Sequence, residues 1–336
     1  MKHTMTYLDT YSMDPYYNLA FEEYMLTHRL QGDILLLWQN DNTVVIGQNQ
    51  IAEAEVNLQF AKEHDIKIVR RTTGGGAVYH DRGNLNYSFI TDADEMEEMT
   101  MERFAQPVVE ALQKLGLDAE VSGRNDILVN GYKVSGTAQR IYKNRILFHG
   151  TLLFEANEEM VAGALQVDPL KFQGKHTKSV RSRIGNIRSF LKDDMELMQF
   201  WGYLKKELGK NCNLRQEIIT AEEKRQILAL RNEKYATKEW NFRHLQQFDY
   251  SNKRKWDGGI LEARVAVQKE KITQVVFCGD FLSKTSLAEL EQALVGKTFA
   301  KQDVQNALCQ YPLEHYFGGI TMQEVLDTMF LFDGSR

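Results

Sequence analysis

The sequence predicts an α+β fold, with a second, small α+β unit at its C-terminal end. The chain has 336 residues, of which 43% are hydrophobic and 26% are charged, and this length favours two domains over one. Strand-like apolar runs with helices between them dominate the first half. Beyond about residue 245, a hairpin pattern precedes short helices that can cover it without help from the first half. We therefore divide the chain into residues 1–244 and 245–336.

The N-terminal elements begin with a helix. Asp14 followed by Pro15 is typical of an N-cap and the first helical position. Two apolar runs at 34–38 and 43–47 follow, and the short polar connector between them predicts a β-hairpin. A further helix is expected near 56–64.

The central part of the chain is expected to consist mainly of strands. Residues 101–115 predict one helix, which Pro107 should perturb or restart. Gly131 lies where two successive strands must turn. The predicted strands of this part are 67–70, 77–79, 84–90, 126–130, 132–138 and 146–154.

The C-terminal part combines helices with one hairpin. Residues 195–208 predict a helix, and the runs at 260–267 and 272–277 predict a second hairpin. Capping boxes, in which Ser or Thr precedes Glu by three residues, are predicted to open helices at Thr220, Ser286 and Thr321.

Charge is distributed unevenly along the chain. The formal net charge is −5, yet residues 101–190 carry 13 basic and 9 acidic side chains. Within that part, residues 169–191 contain no Asp or Glu. A stretch of this kind attracts an anionic ligand or an acidic partner, and a solvated loop is the alternative. Its basic residues are Lys171, Lys175, Lys178, Arg181, Arg183 and Arg188.

The cysteines and the absence of long apolar runs indicate a cytoplasmic protein. Cys212, Cys278 and Cys309 form no CxxC pair and cannot all be paired with one another, which argues against a disulfide framework or a zinc ribbon. No window has the apolar length of a signal peptide core or a membrane span. A reducing cytoplasm fits these observations best.

The first segment that can carry chemistry is RRTTGGGAVYHD at 70–81. Glycines let a backbone turn sharply and leave amide groups free to contact phosphate oxygens. The segment lacks the Gly-Lys-Ser/Thr of a Walker A loop and the spacing of a dinucleotide fingerprint, so ordinary P-loop or Rossmann chemistry is disfavoured. A flexible hairpin turn beside two solvated arginines is the alternative.

The second segment is GRND at 123–126, followed by KVSGTA at 133–138. Asn125 and Asp126 offer the hard oxygen ligands that Mg²⁺ takes, and Lys133 offers a point charge for a phosphate or carboxylate. Strand alternation predicts that Lys133, Ser135 and Thr137 share one face. A turn and a solvated lysine are the alternatives.

The third segment is the strand FHGTL at 148–152, where His149 and Gly150 interrupt an apolar run. A glycine inside a strand often marks the close approach of a ligand or of another backbone. A satisfied core histidine is the alternative for His149.

Taken together, these segments resemble the lipoate–protein ligase A family of the lipoate–biotin ligase superfamily. The resemblance rests on RRTTGGGAVYHDRGNLNYSF, GRNDILVNGYKVSGTAQR, HGTLLF and SVRSRIGNI, in this order and spacing. It extends upstream to DPYYNLAFEEYML and LLLWQNDNTVVIGQNQ, and downstream to DGGILEARVAVQKEKITQVVF. It therefore covers nearly the whole chain.

The resemblance implies a mixed-sheet catalytic domain, a mobile C-terminal accessory domain and a two-step reaction. Family members use ATP and Mg²⁺ to convert lipoate into lipoyl-AMP and release pyrophosphate. They then pass the lipoyl group to one lysine of an apo lipoyl domain, such as glycine-cleavage H protein or the E2 subunit of a 2-oxoacid dehydrogenase.

The resemblance also implies roles for individual residues. Lys133 matches the essential lysine that contacts the carboxyl and phosphate oxygens, and Asp126 is the candidate metal ligand. The loop over the adenylate would contain Lys178, Arg181 and Arg183. Candidates for the slot that takes the dithiolane are Leu19, Trp38, Val45 and Ile46, and packing in the core is the alternative for each. The residues matched to the ATP and lipoyl-AMP site are Arg70, Arg71, Thr72, Gly75, Gly76, Ala77, Val78, Tyr79, Asn125, Asp126, Lys133, Ser135, His149, Gly150 and Thr151.

Three other functions compete with this interpretation. A lipoyl or octanoyl transferase works through a cysteine thioester, but all three cysteines lie at 212 or later, outside the acyl-site segments. A biotin–protein ligase has a motif different from RRTTGGG. A nucleic-acid binder would need aromatic-rich basic stripes or a recognised module, and neither is present.

Overall fold

A computed structural model describes residues 3–93, 100–166, 184–242 and 248–331. The predicted domain boundary at 244 and the loop residues Lys178, Arg181 and Arg183 lie outside these ranges. Among the described residues, no helix combines the length and the apolar character that crossing a membrane requires.

An eight-stranded mixed sheet organises the first part of the chain. Its strands are β1 (Thr4–Asp9), β2 (Asp33–Trp38), β6 (Asn84–Asp92), β7 (Ala119–Ser122), β8 (Asp126–Val129), β9 (Tyr132–Tyr142), β10 (Arg145–Leu153) and β11 (Asn213–Gln216). They lie in the order β11-β1-β2-β6-β10-β9-β8-β7. β1 pairs in parallel with β2 and β11, and the other pairs are antiparallel.

A three-stranded sheet carries the glycine turn. Its order is β4-β3-β5, with β3 at Thr43–Ile46, β4 at Lys67–Arg70 and β5 at Val78–His80. The hairpin predicted from the runs at 34–38 and 43–47 is wrong, because these runs enter different sheets. Every residue of the first run is buried between β1 and β6, so both of its edges are already paired.

The helices of the first part confirm most of the predicted boundaries. The Asp14 side chain accepts a hydrogen bond from the Tyr16 N–H, and Thr220 forms the predicted capping box with Glu223. The helix expected near 56–64 is interrupted at Val56, which bridges to Leu165. The helices are α1 (Pro15–His28), α2 (Ala52–Glu55), α3 (Leu58–Glu63), α4 (Met101–Lys114), α5 (Glu158–Ala164), α6 (Leu197–Leu208), α7 (Ala221–Leu230) and α8 (Lys238–Asn241), with a 3-10 turn at Ile187–Phe190 and a π-helical turn at Arg231–Tyr235.

Helix α4 runs without a break through Pro107, so the expected restart is wrong. Its buried side chains include Ala105, Val108 and Leu112, which pack into the main core. Pro107 lies on the exposed side of the helix. Packing of the opposite face therefore outweighs the one hydrogen bond that proline cannot make.

The C-terminal part forms its own sheet and core. The predicted hairpin is confirmed as β13 (Gly259–Gln268) and β14 (Lys271–Gly279), and β12 (Tyr250–Trp256), which the sequence did not predict, completes an antiparallel sheet. Its hydrophobic cluster draws its fully buried residues from Leu261 to Met329. The helices that cover it are α9 (Ala288–Leu294), α10 (Lys301–Leu308), α11 (Leu313–Phe317) and α12 (Met322–Phe330).

One of the two capping boxes predicted here is wrong. Thr321 caps α12 with Glu324, as expected. Ser286 does not, because α9 begins at Ala288 and the Glu289 carboxylate accepts a hydrogen bond from Tyr316 instead. The two parts together form the α+β protein with a small C-terminal α+β unit that the sequence predicts.

Candidate active site

The first of two adjoining cavities lies between the glycine turn and strands β9 and β10. We call it the inner cavity, and its volume is about 100 Å³. Most residues predicted for the site line it. They are Leu19, Trp38, Val45, Arg71, Gly75, Gly76, Ala77, Val78, Asn125, Lys133, His149, Gly150 and Thr151. The other lining residues, which were not among the predicted site residues, are His80, Asn86, Gly136, Thr137 and Ala138.

The second cavity, which we call the vestibule, has a volume of about 320 Å³. It shares Gly75, Gly76, Ala77, Asn125 and Lys133 with the inner cavity. Its remaining lining residues are Glu55, Arg124, Asp126, Leu165, Gln166, Asp280 and Leu282. A ligand in the inner cavity therefore meets the vestibule at Lys133 and the glycine turn.

Arg71 holds the glycine turn in shape. Its Nη2 donates to the carbonyl oxygens of Gly74 at 2.7 Å and Gly76 at 2.8 Å, and its Nη1 donates to the carbonyl of Val45. Burial lowers the pKa of Arg71 to about 10, against the opposing effect of the Glu22 carboxylate. The guanidinium therefore stays charged at pH 7 and acts chiefly on the backbone of the turn.

The turn depends on glycine at two positions. Gly75 has a φ of +90°, a conformation that favours glycine. A Cβ on Gly47 would lie 2.1 Å from the carbonyl oxygen of Gly75. The backbone of the turn can therefore approach its neighbours, and a ligand, more closely than any side chain would allow.

Five of the described residues predicted for the site lie outside both cavity linings. Arg70 is fully buried, and its guanidinium donates to five backbone carbonyl oxygens around 47–50 and 240–241. The Tyr79 hydroxyl donates to Asn42, and burial raises its pKa to about 12. Thr72 and Ser135 are buried without lining either cavity. Ile46, a candidate for the slot, packs into a different core cluster.

A β-bulge decides where Lys133 points. β9 has one residue more than β8 between Lys133 and Ser135, so the predicted alternation is wrong. The end of the Lys133 side chain lies over Gly136, with Cε and Nζ each 3.5 Å from where a Cβ of Gly136 would lie. Asp126 is the cross-strand partner of Gly136. Lys133 Nζ and Asp126 Oδ1 form an ion pair at 2.7 Å.

Asn125 and Asp126 could provide oxygen atoms for a metal bound with phosphates. The Asn125 amide nitrogen donates to the carbonyl of Thr137, which leaves its amide oxygen for another partner. One carboxylate and one amide oxygen suit Mg²⁺, which usually takes one or two carboxylates together with substrate phosphates. Within the described ranges, no group of three or more His, Cys, Asp or Glu side chains could hold a metal by itself.

A chain of buried hydrogen bonds runs behind the inner cavity. The Trp38 indole donates to Ser88 at 2.8 Å, and Ser88 donates to Glu22 at 2.6 Å. His149 Nδ1 lies 2.9 Å from Glu22, and its Nε2 lies 2.9 Å from the Thr73 hydroxyl. The sequence did not single out Glu22, Ser88 or Thr73. Polar residues at every second position of the buried strand β6, at 84, 86 and 88, were the available signal.

His80 is a neutral lining residue. Burial lowers its pKa to about 3, and the charge of Arg71 acts in the same direction. Its Nδ1 faces the Asn40 amide nitrogen at 3.1 Å, which can only donate. The proton of the neutral ring therefore lies on Nε2.

The C-terminal unit contacts the glycine turn directly. The Gly75 N–H donates to the carbonyl of Phe281 at 3.1 Å, and the Gly279 N–H donates to that of Asn49 at 2.9 Å. A Cβ on Gly74 would lie 2.5 Å from the backbone nitrogen of Ser283. Asp280 and Leu282 of this unit line the vestibule.

Two family matches divide the chain between them. Residues 14–209 match the lipoyl protein ligase A/B catalytic domain, and residues 246–329 match the bacterial lipoate protein ligase C-terminus. The fold and the paired cavities thus define a lipoyl ligase catalytic domain with a C-terminal partner domain. The chain belongs to the lipoate–protein ligase family, and it is a ligase.

Curated relatives match the chain over most of its length. It is 38% identical to lipoate–protein ligase 1 of Staphylococcus aureus over 317 residues, covering 94% of this chain and 97% of the relative. It is 37% identical to lipoate-protein ligase LplJ of Bacillus subtilis over 331 residues, covering 97% of this chain and 100% of the relative.

Solved structures show the same fold. A Plasmodium falciparum protein, LipL1 in complex with lipoate, covers 98% of this chain and 100% of its own at a TM-score of 0.80 and 22% identity, a likeness of fold alone. A bipartite lipoate protein ligase of Thermoplasma acidophilum, studied with its E2 lipoyl domain, covers 74% of this chain and 100% of its own, at a TM-score of 0.64 and 32% identity. A lipoate-protein ligase A bound with ATP covers 72% of this chain and 99% of its own, at a TM-score of 0.63 and 30% identity.

Proposed function

We propose that the protein uses ATP to convert lipoate into lipoyl-AMP and then transfers the lipoyl group to a lysine of apo lipoyl domains. The observation that carries this proposal is the position of Lys133, where a mainly apolar cavity meets a polar vestibule. A carboxylate at the end of an acyl chain and the α-phosphate of a nucleotide would meet at the same ammonium group. The structure of a 30% identical ligase with ATP supports the choice of nucleotide.

The inner cavity would take the dithiolane and its hydrocarbon chain. Leu19, Trp38 and Val45 are each at most 3% exposed and supply apolar surface. Ala138 extends this surface along β9. Burial of the acyl chain against these side chains would provide most of the affinity for lipoate, since apolar contact contributes roughly 25 cal/mol per Å².

The first step joins lipoate to AMP. A carboxylate oxygen of lipoate attacks the α-phosphorus of ATP, a new C–O–P bond forms, and the bond to the bridging oxygen breaks as pyrophosphate leaves. Negative charge grows on the phosphate oxygens in the transition state, and Lys133 would stabilise it. At an effective dielectric of 20 and ~4 Å, such a charge pair is worth roughly 4 kcal/mol.

The second step transfers the acyl group. The neutral amine of an acceptor lysine attacks the lipoyl carbonyl, an amide bond forms, and AMP leaves with the electrons of the anhydride bond. The nitrogen loses one proton, which passes to solvent. An unperturbed lysine has a pKa near 10.4, so its deprotonation at pH 7 costs about 4–5 kcal/mol. A donor held in the inner cavity in attack geometry helps to offset this cost.

The groups that bind nucleotide would come from several segments. Gly76, Ala77 and Val78 would present backbone amides, while Gly75, whose N–H is donated to the Phe281 carbonyl, would shape the turn. His149, Gly150 and Thr151 would wall the acyl side. Mg²⁺ bound with the nucleotide would neutralise phosphate charge, and Asn125 and Asp126 would hold it. We place Arg70, Thr72, Tyr79 and Ser135 behind the cavity walls as supports of the adenylate site. Lys178, Arg181 and Arg183 complete the proposed set.

The acceptors would be lipoyl-domain proteins of the cytoplasm. We propose glycine-cleavage H protein and 2-oxoacid dehydrogenase E2 subunits as the acceptors, and a relative studied with its E2 lipoyl domain supports the second class. We also propose that residues 1–244 form the catalytic domain and 245–336 the accessory domain. The accessory domain would cover the glycine turn during adenylation.

The test is to incubate the protein with lipoate, Mg-ATP and apo acceptors, and to weigh the products. We expect a gain of one lipoyl group on the acceptor, together with lipoate-dependent exchange of labelled pyrophosphate into ATP. Omitting ATP is the control. Modification that persists without ATP would contradict the ligase mechanism, and so would an absence of exchange.

A further inference from the structure

The buried hydrogen-bond chain behind the inner cavity links two surfaces that would bind different ligands. We call it the relay. At one end, Trp38 and His149 line the inner cavity. At the other, Arg71 holds the carbonyl oxygens of Gly74 and Gly76 in the glycine turn, which lines the vestibule as well as the inner cavity. Glu22 and Thr73 connect the two ends and line neither cavity.

With a neutral His149 ring, the chemistry of the end groups fixes the direction of every bond in the relay. Arg71 Nε can only donate, so the Thr73 oxygen accepts from it at 2.9 Å, and the Thr73 proton is free for His149 Nε2. The remaining ring proton then lies on Nδ1 and is donated to Glu22. At the other end the Trp38 N–H can only donate, and this leaves the Ser88 proton for Glu22.

Glu22 is therefore the acceptor at which both arms meet. Its carboxylate receives one proton donor from His149 and one from Ser88. Every member of the relay is buried, from 0% exposed at Thr73 and Ser88 to 7% at His149. Water cannot replace a lost partner at such depth, so each broken bond leaves an unsatisfied polar group.

We propose that Glu22 and Thr73 are positioning residues that couple acyl binding in the inner cavity to nucleotide binding at the glycine turn. The inference rests on the proposed function, because it takes lipoate and ATP as the two ligands. An acyl chain that packs on the Trp38 and His149 rings restricts them to the conformations in which the relay is bonded. The bonded relay holds Thr73 and Arg71, and through them the carbonyl oxygens that shape the turn.

The coupling can be measured with ligands that cannot react. α,β-Methylene-ATP has no cleavable bond between its α- and β-phosphates, so its affinity can be titrated with and without saturating lipoate. In the wild type we expect lipoate to tighten nucleotide binding by about 5-fold or more, and the nucleotide to tighten lipoate binding by the same factor. Calorimetric titration of each ligand in the presence of the other gives both factors.

Three variants test the route of the coupling. Thr73→Val keeps the shape of the side chain and removes the hydroxyl, and we expect the coupling factor to fall to near 1. Thr73→Ser restores the hydroxyl and should restore the factor. Glu22→Gln removes the charge that fixes the His149 proton, and it should lower the factor although the side chain lines neither cavity.

A matched control separates coupling from general destabilisation. Thr328 is also 0% exposed, and its hydroxyl accepts a hydrogen bond from the Trp256 indole in the C-terminal unit. Thr328→Val should lower the melting temperature about as much as Thr73→Val, and it should leave the coupling factor unchanged.

The outcomes separate the relay from the function on which it rests. Coupling that survives in both folded variants, Thr73→Val and Glu22→Gln, would overturn the relay, as would independent binding of the two ligands to the wild type. In the second case both ligands still bind, so the proposed function stands. Binding of neither ligand to the wild type would instead contradict the proposed function itself.

Discussion

The inner cavity and the vestibule differ in the burial and in the bonding partners of their polar side chains. Around the inner cavity, Glu22 and His149 are buried and bonded to one another. In the vestibule, the side chains of Lys133 and Asp126 are 37% and 33% exposed and form a single ion pair. The polar groups around the inner cavity therefore have partners within the protein, whereas the charges of the vestibule remain in contact with solvent.

Under the proposed function, this difference assigns selection of the acyl chain to the inner cavity and the reaction to the vestibule. A closed wall whose hydrogen bonds are internal presents a fixed shape, and a fixed shape suits recognition of one acyl chain. An exposed ion pair is worth little to stability, so its charges can be given to a ligand at small cost. The contrast predicts that changes in the vestibule reduce the reaction rate, whereas changes around the inner cavity reduce stability.

The largest expected effect is in the vestibule. We expect Lys133→Ala to reduce lipoate-dependent exchange of pyrophosphate into ATP by about 1,000-fold, because an isolated donor to transition-state charge typically contributes 100- to 1,000-fold. The melting temperature should change little, since Lys133 is partly exposed. Lys206→Ala, at an exposed lysine of α6, is the control. Undiminished exchange in Lys133→Ala would contradict the role proposed for Lys133 in the first step.

The second prediction concerns stability at the inner cavity. The folded pKa of His80 is about 3, below the value of 6.5 expected when unfolded, so the unfolded chain binds more protons between these pH values. The contribution of His80 is therefore complete above pH 6.5 and is lost as the pH falls. We expect a loss of about 2 kcal/mol in unfolding free energy between pH 6.5 and pH 5 from this residue.

Urea denaturation at several pH values measures this contribution. His80→Asn keeps an acceptor where Nδ1 meets Asn40, so the variant should be less stable overall but should show a shallower dependence on pH. An unchanged slope in His80→Asn would show that the ring is not held neutral by burial.

The third prediction returns to the vestibule. Asp126→Asn removes the ion-pair partner of Lys133 and the carboxylate offered to Mg²⁺. We expect exchange to fall by about 10-fold, which corresponds to about 1.4 kcal/mol, with little change in melting temperature. Titration of Mg²⁺ separates the two roles. Loss of a metal ligand raises the Mg²⁺ concentration that the reaction requires, whereas loss of an ion-pair partner lowers the rate even at saturating Mg²⁺. A fully active variant would exclude both roles.

The last prediction is that removal of the cysteines has no effect on lipoyl transfer. Replacing Cys212, Cys278 and Cys309 together by Ala should leave lipoyl transfer intact, because no cysteine lines the inner cavity or the vestibule. Product mass measures transfer, and thermal melting shows whether the variant is folded. Loss of transfer in a folded variant would favour a thioester route.

The sequence predicted elements whose signals are local. The Asp14 cap, the Thr220 capping box and the second hairpin need only neighbouring residues, and all three are confirmed. The hairpin between 34–38 and 43–47 failed because its strands pair with partners far away along the chain. Strand pairing is decided by which edges remain open in the assembled sheet, and a local pattern does not contain that information.

The candidate site divides in the same way. From the sequence alone, the motif RRTTGGG, Lys133 and His149 identified the segments that meet at the inner cavity. Only the tertiary structure decided that Arg70 clamps the backbone while its neighbour Arg71 shapes the turn, and that Glu22 reaches His149 across 127 residues of sequence. A residue type and its spacing define which chemistry is available. Which groups share a buried partner depends on distances that exist only after the sheets have packed.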